Sequence, residues 1–179
     1  QVVQSYVRSY GAMIHPVAAC ATTAGSVEEG VDKIRLGKAE FVVAGGFDDL
    51  SAEGIVGFAD MSATADSAAM RAKGIEDRYF SRANDRRYGG FVESQGGGTI
   101  LLARGDVAAR MGLPVLGVVA YAGSFADGVH TSIPAPGIGA LAAGRGGRES
   151  ALAKSLESLG LTADDIGVLS KHDTSTGVN

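Results

Sequence analysis

Apolar positions in this chain fall into short blocks punctuated by glycine, and the spacing inside each block predicts its element. Val3, Tyr6, Val7 and Tyr10 recur at helical spacing before Gly11, so the first residues read as the end of a helix. Met13 to Ala19 reads as a short strand that Pro16 keeps irregular. Ala21, Ala24, Val27, Val31 and Ile34 then form one stripe, with Glu28, Glu29, Asp32, Lys33 and Arg35 on the other side. That is an amphipathic helix stopped at Gly37. Phe41 to Ala44 is a continuous apolar run bounded by Gly45 and Gly46, the pattern of a strand covered on both faces.

From Asp48 to Asn84 the chain is polar and poorly periodic, a surface excursion with a short helix near Ala52 to Phe58. Phe91 and Val92 begin another strand, and Gly96-Gly97-Gly98 leads into a strand over Thr99 to Ala103. A helical turn follows at Val107 to Met111, then a strand at Val115 to Tyr121. Leu152, Leu156 and Leu159 mark a helix ended by Gly160, Thr162 with Asp165 forms a capping pair, and Val168 to Ser170 is a last short strand. Strands alternating with helices predict a layered α/β fold with a largely parallel sheet. The stretch from Gly137 to Gly147 is the expected flexible segment.

Composition narrows the function classes. The 179 residues carry 16 Lys plus Arg against 20 Asp plus Glu, a formal net charge of −4. Hydrophobic residues make up 45%, which suits a globular domain and not a disordered one. No apolar run approaches the roughly 18 residues of a membrane span, and the amino end shows no signal-peptide pattern. Mild acidity argues against a surface that neutralises nucleic-acid phosphates. A single cysteine excludes an internal disulfide and fits a reducing, cytoplasmic setting. Scattered His15, His130 and His172 with one thiol give no metal site. The 27 glycines, about twice the usual share of roughly 7%, point to tight turns and close backbone approaches.

Two residues can carry chemistry on position alone. Cys20 falls between a strand and an amphipathic helix, at that helix's amino end, where peptide dipoles favour a thiolate nucleophile. Its competing reading is a small buried hydrophobe, the usual fate of a free cysteine. His172 follows the last strand in KHDTSTG, where open α/β sheets place ligand groups; a solvated loop histidine fits as well. His15 reads as structural, and no role attaches to His130. Gly137-Ile138-Gly139-Ala140-Leu141-Ala142 matches a dinucleotide fingerprint with Ala last, but Pro134 and Pro136 stand where a strand is needed. Gly96 to Gly98 precedes a strand without a following Lys-Ser/Thr, so it is no phosphate loop.

Taken in order, VAACATTAG around Cys20, FVVAGGFDDLSAEG, NDRRYGGFVESQGGGTILLARGD, SIPAPGIG and SKHDTST resemble a β-ketoacyl synthase of the thiolase-like superfamily over essentially the whole chain. FVESQGGG, GGFDD and SIPAPGIG are most similar to the synthase segment of multifunctional type I fatty acid synthases of fungi and mycobacteria. The resemblance implies a layered αβαβα fold, here a central portion that ends one half and begins the other, with approximate halves 1–95 and 96–179 within 1–179 of one synthase domain. It implies that Cys20 is the acyl-accepting nucleophile and His172 the first of two catalytic histidines. Thr174 and Thr176 match the threonines that contact the phosphopantetheine arm of an acyl carrier protein, and no cofactor is bound by the segment itself. The strand Phe41 to Gly46 matches the one that pairs across a homodimer axis within a larger homo-oligomer. Asp173 stands where the family's HGTGT motif has glycine.

The second histidine, its supporting lysine and the glycine-rich gating loop have no counterpart before Asn179, and residue 1 is not Met, so an interior fragment inactive alone is expected. The implied reaction is decarboxylative Claisen condensation of a Cys20-bound acyl group with malonyl carrier protein. Two other readings stay open on the sequence. One is a coenzyme A-dependent thiolase or chalcone-synthase-like enzyme, and the other is a catalytically silent dimerising segment, which retention of Cys20 opposes.

Overall fold

The helix expected after Cys20 is the element on which one half of the described structure is built. In the computed structural model, which describes residues 5, 6, 8, 11–125 and 144–177, it runs over Thr22–Arg35 (α1) behind a 3-10 turn at Ala19–Ala21. Gly37, at φ 68, ends it as expected: its N–H donates to the Ile34 carbonyl, and the Lys38 N–H donates to that of Lys33. After α1 the chain forms strand β1 (Phe41–Asp48), helices α2 (Ala52–Asp60) and α3 (Ser67–Ala72), a 3-10 turn at Asp77–Tyr79, and strand β2 (Gly96–Ala103). Helix α4 (Gly105–Met111) follows, and beyond it lie a 3-10 turn at Gly147–Glu149, helix α5 (Ala151–Ser158) and a last 3-10 turn at Ala163–Asp165.

The described residues divide into two compact units, those within 1–47 and 97–124 and those within 48–96 and 125–179. In the first, α1 lies on the β1–β2 ribbon. Val31, Ala44 and Leu102 are buried together, with Val27, Ile34, Val42 and Ala122 against them. Full burial of such a side chain stabilises by about 1.5–3 kcal/mol. Gly30 permits the contact, since a Cβ there would stand 2.7 Å from Leu102 Cδ1 and 3.2 Å from Val42 Cγ1. The Ser26 hydroxyl ties helix to strand, 2.9 Å from the Gly45 carbonyl and 2.7 Å from that of Thr23.

The ribbon is antiparallel. Gly45 faces Gly98 and Thr99, Phe47 faces Gly97, and the Arg104 N–H donates to the Glu40 carbonyl at 2.9 Å, so partners descend as positions ascend. This corrects the expectation of a largely parallel sheet, at least for the one ladder among the described residues. Both strands also run through their glycines, instead of stopping or starting beside them. Those glycines are required by contact: a Cβ on Gly45 would fall 2.2 Å from the Gly98 carbonyl oxygen, and one on Gly46 would fall 2.2 Å from Thr23 Oγ1.

In the second unit, Ser51, Asp66 and Ser150 cap α2, α3 and α5 by accepting from the N–H groups of Gly54, Ala69 and Ala153 at 3.0, 2.6 and 3.1 Å. Met70, Ile75 and Phe80 form its core with Ala65. An isolated parallel bridge joins Thr64 to Phe91, whose ring meets Phe58 edge-on at 5.1 Å. The Thr162–Asp165 capping pair is present, on a 3-10 turn, with the Thr162 N–H donating to Asp165 at 2.7 Å.

Four strand expectations fail. Among the described residues, Met13 to Ala19, Val115 to Tyr121 and Val168 to Ser170 take no part in a sheet, and Phe91–Val92 contributes only the bridge. Apolar runs supply side chains for a strand but not the hydrogen-bonding neighbour that makes one. Here those side chains are bare, Leu116 being 100% and Val168 84% exposed. The helix end expected over 3–10 lies largely outside the described residues, as do His130, the SIPAPGIG segment and most of the stretch from Gly137 to Gly147.

Gly45→Ala is expected to lower stability by about 1–3 kcal/mol or more, because backbone must move to admit the methyl group. Gly96→Ala, with nothing within 4 Å of its Cβ position, should stay within about 0.5 kcal/mol of wild type. Denaturant midpoints of the two variants compare them directly.

Candidate functional site

Cys20 is a free, exposed cysteine at the centre of the 3-10 turn that leads into α1. The turn is held from both sides. The Ala18 N–H donates to Thr22 Oγ1 at 2.8 Å and the Ala21 N–H to the Ala18 carbonyl at 2.9 Å. Ala19 sits in the left-handed region at φ 47, a conformation that costs a non-glycine residue of order 1–3 kcal/mol and persists only when its surroundings hold it. The strain falls on the residue immediately before the thiol. The buried-hydrophobe reading of this cysteine does not hold in the described structure.

His172, Thr174 and Thr176 belong to the second unit, in a loop with no regular structure. His172 is exposed, and the Thr174 and Thr176 hydroxyls stand 2.9 Å apart. Ser175 between them is buried, with φ 61. It is anchored twice to the segment 82–90: its Oγ accepts from the Arg82 N–H at 2.7 Å, and its carbonyl accepts from the Gly90 N–H at 2.9 Å. Asp173 is held by Asn84 Nδ2 at 3.2 Å and by Lys171 Nζ at 3.3 Å. A cleft of about 190 Å³ opens here, its walls including Asn84, Arg86, Tyr88, Asp173 and Thr176.

The anchor is itself braced. Arg82 pairs with Asp85 and donates from Nη1 to the Tyr79 carbonyl at 3.2 Å, while the Arg87 N–H donates to Asp85 Oδ1 at 2.8 Å. The Arg82 hydrogen bond first, then the Arg87 backbone N–H, hold the Asp85 carboxyl well below the usual carboxylate range. Sequence reading missed Arg82, Asn84, Asp85, Lys171 and Ser175. The charged run NDRR and the alternation in KHD were visible signals. Their bonds to one another span 93 positions for Arg82 with Ser175 and 89 for Asn84 with Asp173, so only the folded loop discloses them. Among the described residues no group of three or more His, Cys, Asp or Glu side chains could hold a metal ion. No helix there is long and apolar enough to cross a membrane.

An exposed thiol on a strained turn at a helix start is the placement a nucleophilic cysteine requires. Comparison with known proteins gives the family. Residues 2–108 match the N-terminal domain of β-ketoacyl synthases, and the chain belongs to that family. It is 42% identical over 176 residues to the fatty acid synthase alpha subunit stcJ of Emericella nidulans, covering 97% of this chain and 11% of that protein. Against the fatty acid synthase subunit alpha of Saccharomyces cerevisiae it is 38% identical over 139 residues, 78% of this chain and 7% of that one. Among solved structures, a β-ketoacyl synthase from Burkholderia phymatum superposes with a TM-score of 0.72 at 21% identity, over 98% of this chain and 40% of that one. The ishigamide ketosynthase/chain length factor does so with 0.67 at 23%, over 88% and 34%. The fold is therefore the thiolase-like α/β fold of ketosynthases.

Asp85 supplies a pH signature. Its lowered folded value means that its stabilising contribution is full above the unfolded value near 4, shrinks as pH falls below that, and vanishes only beneath the lowered value. Asp85→Asn should be less stable than wild type at pH 7, with the gap narrowing as unfolding is followed down from about pH 4 to about pH 2. Denaturant midpoints across that range read the gap.

Proposed function

We propose that this chain is part of a ketoacyl synthase that elongates fatty acyl groups by decarboxylative Claisen condensation on carrier-bound substrates. The observation that carries the reading is Cys20, exposed on its turn at the start of α1, in a β-ketoacyl synthase chain 42% identical to a fatty acid synthase alpha subunit. In the first step the Cys20 thiolate attacks the carbonyl carbon of an acyl carrier thioester. The Cys20 sulfur–carbon bond forms, the carrier's sulfur–carbon bond breaks, and the carrier leaves as a thiolate that takes up the proton Cys20 released on ionising.

In the second step a malonyl carrier thioester loses its carboxyl group as carbon dioxide, and the bond's electron pair passes to the α-carbon and thioester oxygen. His172 donates a hydrogen bond to that oxygen as charge develops, a role in which losing one donor typically costs about 100- to 1000-fold. The carbanion then attacks the Cys20 thioester, the Cys20 sulfur leaves, and a β-ketoacyl carrier product remains. The Cys20 backbone N–H serves the oxygen of this second addition.

Thr174 and Thr176 contact the amide groups of the carrier's phosphopantetheine arm, a use to which paired hydroxyls that both donate and accept are suited. The arm belongs to the carrier, so it is substrate and not a resident cofactor. The acyl carrier protein is the partner, and β1, over Phe41 to Gly46, pairs with the same strand of a second copy. Cytoplasmic residence accords with the reduced cysteine the chemistry needs.

In the full-length protein, Cys20→Ala should abolish elongation with the fold intact, since alanine leaves the turn's hydrogen bonds in place; turnover at the wild-type rate would refute the nucleophile. His172→Ala should slow carbon dioxide release from malonyl carrier by about 100-fold or more. Acyl transfer from coenzyme A at equal efficiency would favour the thiolase-type reading instead. Iodoacetamide gives a further check, because a silent segment would tolerate alkylation of Cys20 without loss of condensation.

A further inference from the structure

Asp173 departs from the family's glycine, and the structure gives the substituted side chain a defined place. It is only 19% exposed, against 52% for Lys171. Its Oδ2 accepts from Asn84 Nδ2 at 3.2 Å and its Oδ1 pairs with Lys171 Nζ at 3.3 Å. Lys171 also reaches Asn84 Oδ1 at 3.5 Å, so the three side chains close a ring of contacts. Lys171 and Asp173 are the two neighbours of His172 in the chain, and Asn84 lies on the segment that anchors Ser175.

The geometry points to the Lys171–Asp173–Asn84 ring as a positioning clamp for His172. It fixes the backbone on both sides of the imidazole and leaves the ring itself exposed for substrate. The loop otherwise holds no regular structure, and Ser175, its buried anchor, lies beyond the histidine in the chain. A glycine at 173 has no side chain to bridge to Asn84, so the ring is a device of this chain's own residues. The inference rests on the reading of His172 given above and extends it to the groups that aim it.

The test exchanges the partners. Asp173→Asn removes the carboxylate from the ring, and Asn84→Asp sets two carboxylates against each other. In the double variant the amide and the carboxylate change sides, and Lys171, within 3.5 Å of both positions, keeps its ion pair. Each single variant of the full-length protein should release carbon dioxide from malonyl carrier about tenfold more slowly or worse, in kcat and with KM little changed, because misaiming a catalytic group costs that much. Acyl loading of Cys20 should proceed at the wild-type rate in all three, and the double variant should recover most of the decarboxylation.

Singles that match wild type, a double variant no better than the singles, or equal losses in loading and decarboxylation would each overturn the clamp. If His172→Ala itself leaves carbon dioxide release unchanged, the role of His172 fails and the clamp fails with it. If that variant is slow while the singles are not, only the clamp fails.

Discussion

The first unit depends on how closely α1 can approach the β1–β2 ribbon. Gly30 on the helix and Gly46 on the strand leave no Cβ in the contact, and Ser26 bonds the Gly45 carbonyl across it. A mid-helix glycine sacrifices up to about 1 kcal/mol of helix propensity, which the burial of Val31, Ala44 and Leu102 offsets. Because the helix is seated this firmly, the turn at its amino end has a fixed frame. Cys20 is carried on that turn, directly after the strained Ala19.

The second unit solves a similar problem with hydrogen bonds instead of packing. Its histidine loop has no strand or helix to define it, so Ser175 is pinned through both its hydroxyl and its carbonyl to 82–90. That segment is stiffened in turn by the Arg82–Asp85 pair and by the Arg87 N–H. Left-handed backbone at Ser175 parallels the left-handed backbone at Ala19. Both stand beside residues for which we propose a chemical role, and such strain survives only where neighbouring bonds hold it. In each case hydrogen bonds keep the loop in one shape, which is what the proposed nucleophile and hydrogen-bond donor would require.

Local signals identified α1, α2, α4 and α5 but not α3, whose Met70 is buried within the stretch read as a polar surface excursion. The stripe from Ala21 to Ile34 with its glycine stop gave α1, and the Leu152, Leu156 and Leu159 spacing with Gly160 gave α5, because helix hydrogen bonds and caps are made by neighbours in sequence. Strands fared worse. Val115 to Tyr121 has as good a pattern as Phe41 to Ala44, yet among the described residues only the latter finds a partner, and a ladder needs residues far away in the chain. Cys20 and the HDTST threonines were legible as motif positions. The braces around them were not, since Arg82 with Ser175 and Asn84 with Asp173 join residues 93 and 89 positions apart.

Sequence alone determined the family, helices α1 and α5 with their glycine stops, and the candidate nucleophile and histidine, all of which are carried by short runs of adjacent residues. Tertiary structure decided the antiparallel direction of β1 and β2, the need for glycine at 45 and 46, and the hydrogen bonds that give the histidine loop its shape. The physical reason is range: periodicity and capping act within about one helical turn, whereas strand pairing, close approach of helix to sheet and the bonding of a buried serine depend on groups that only the folded chain brings together.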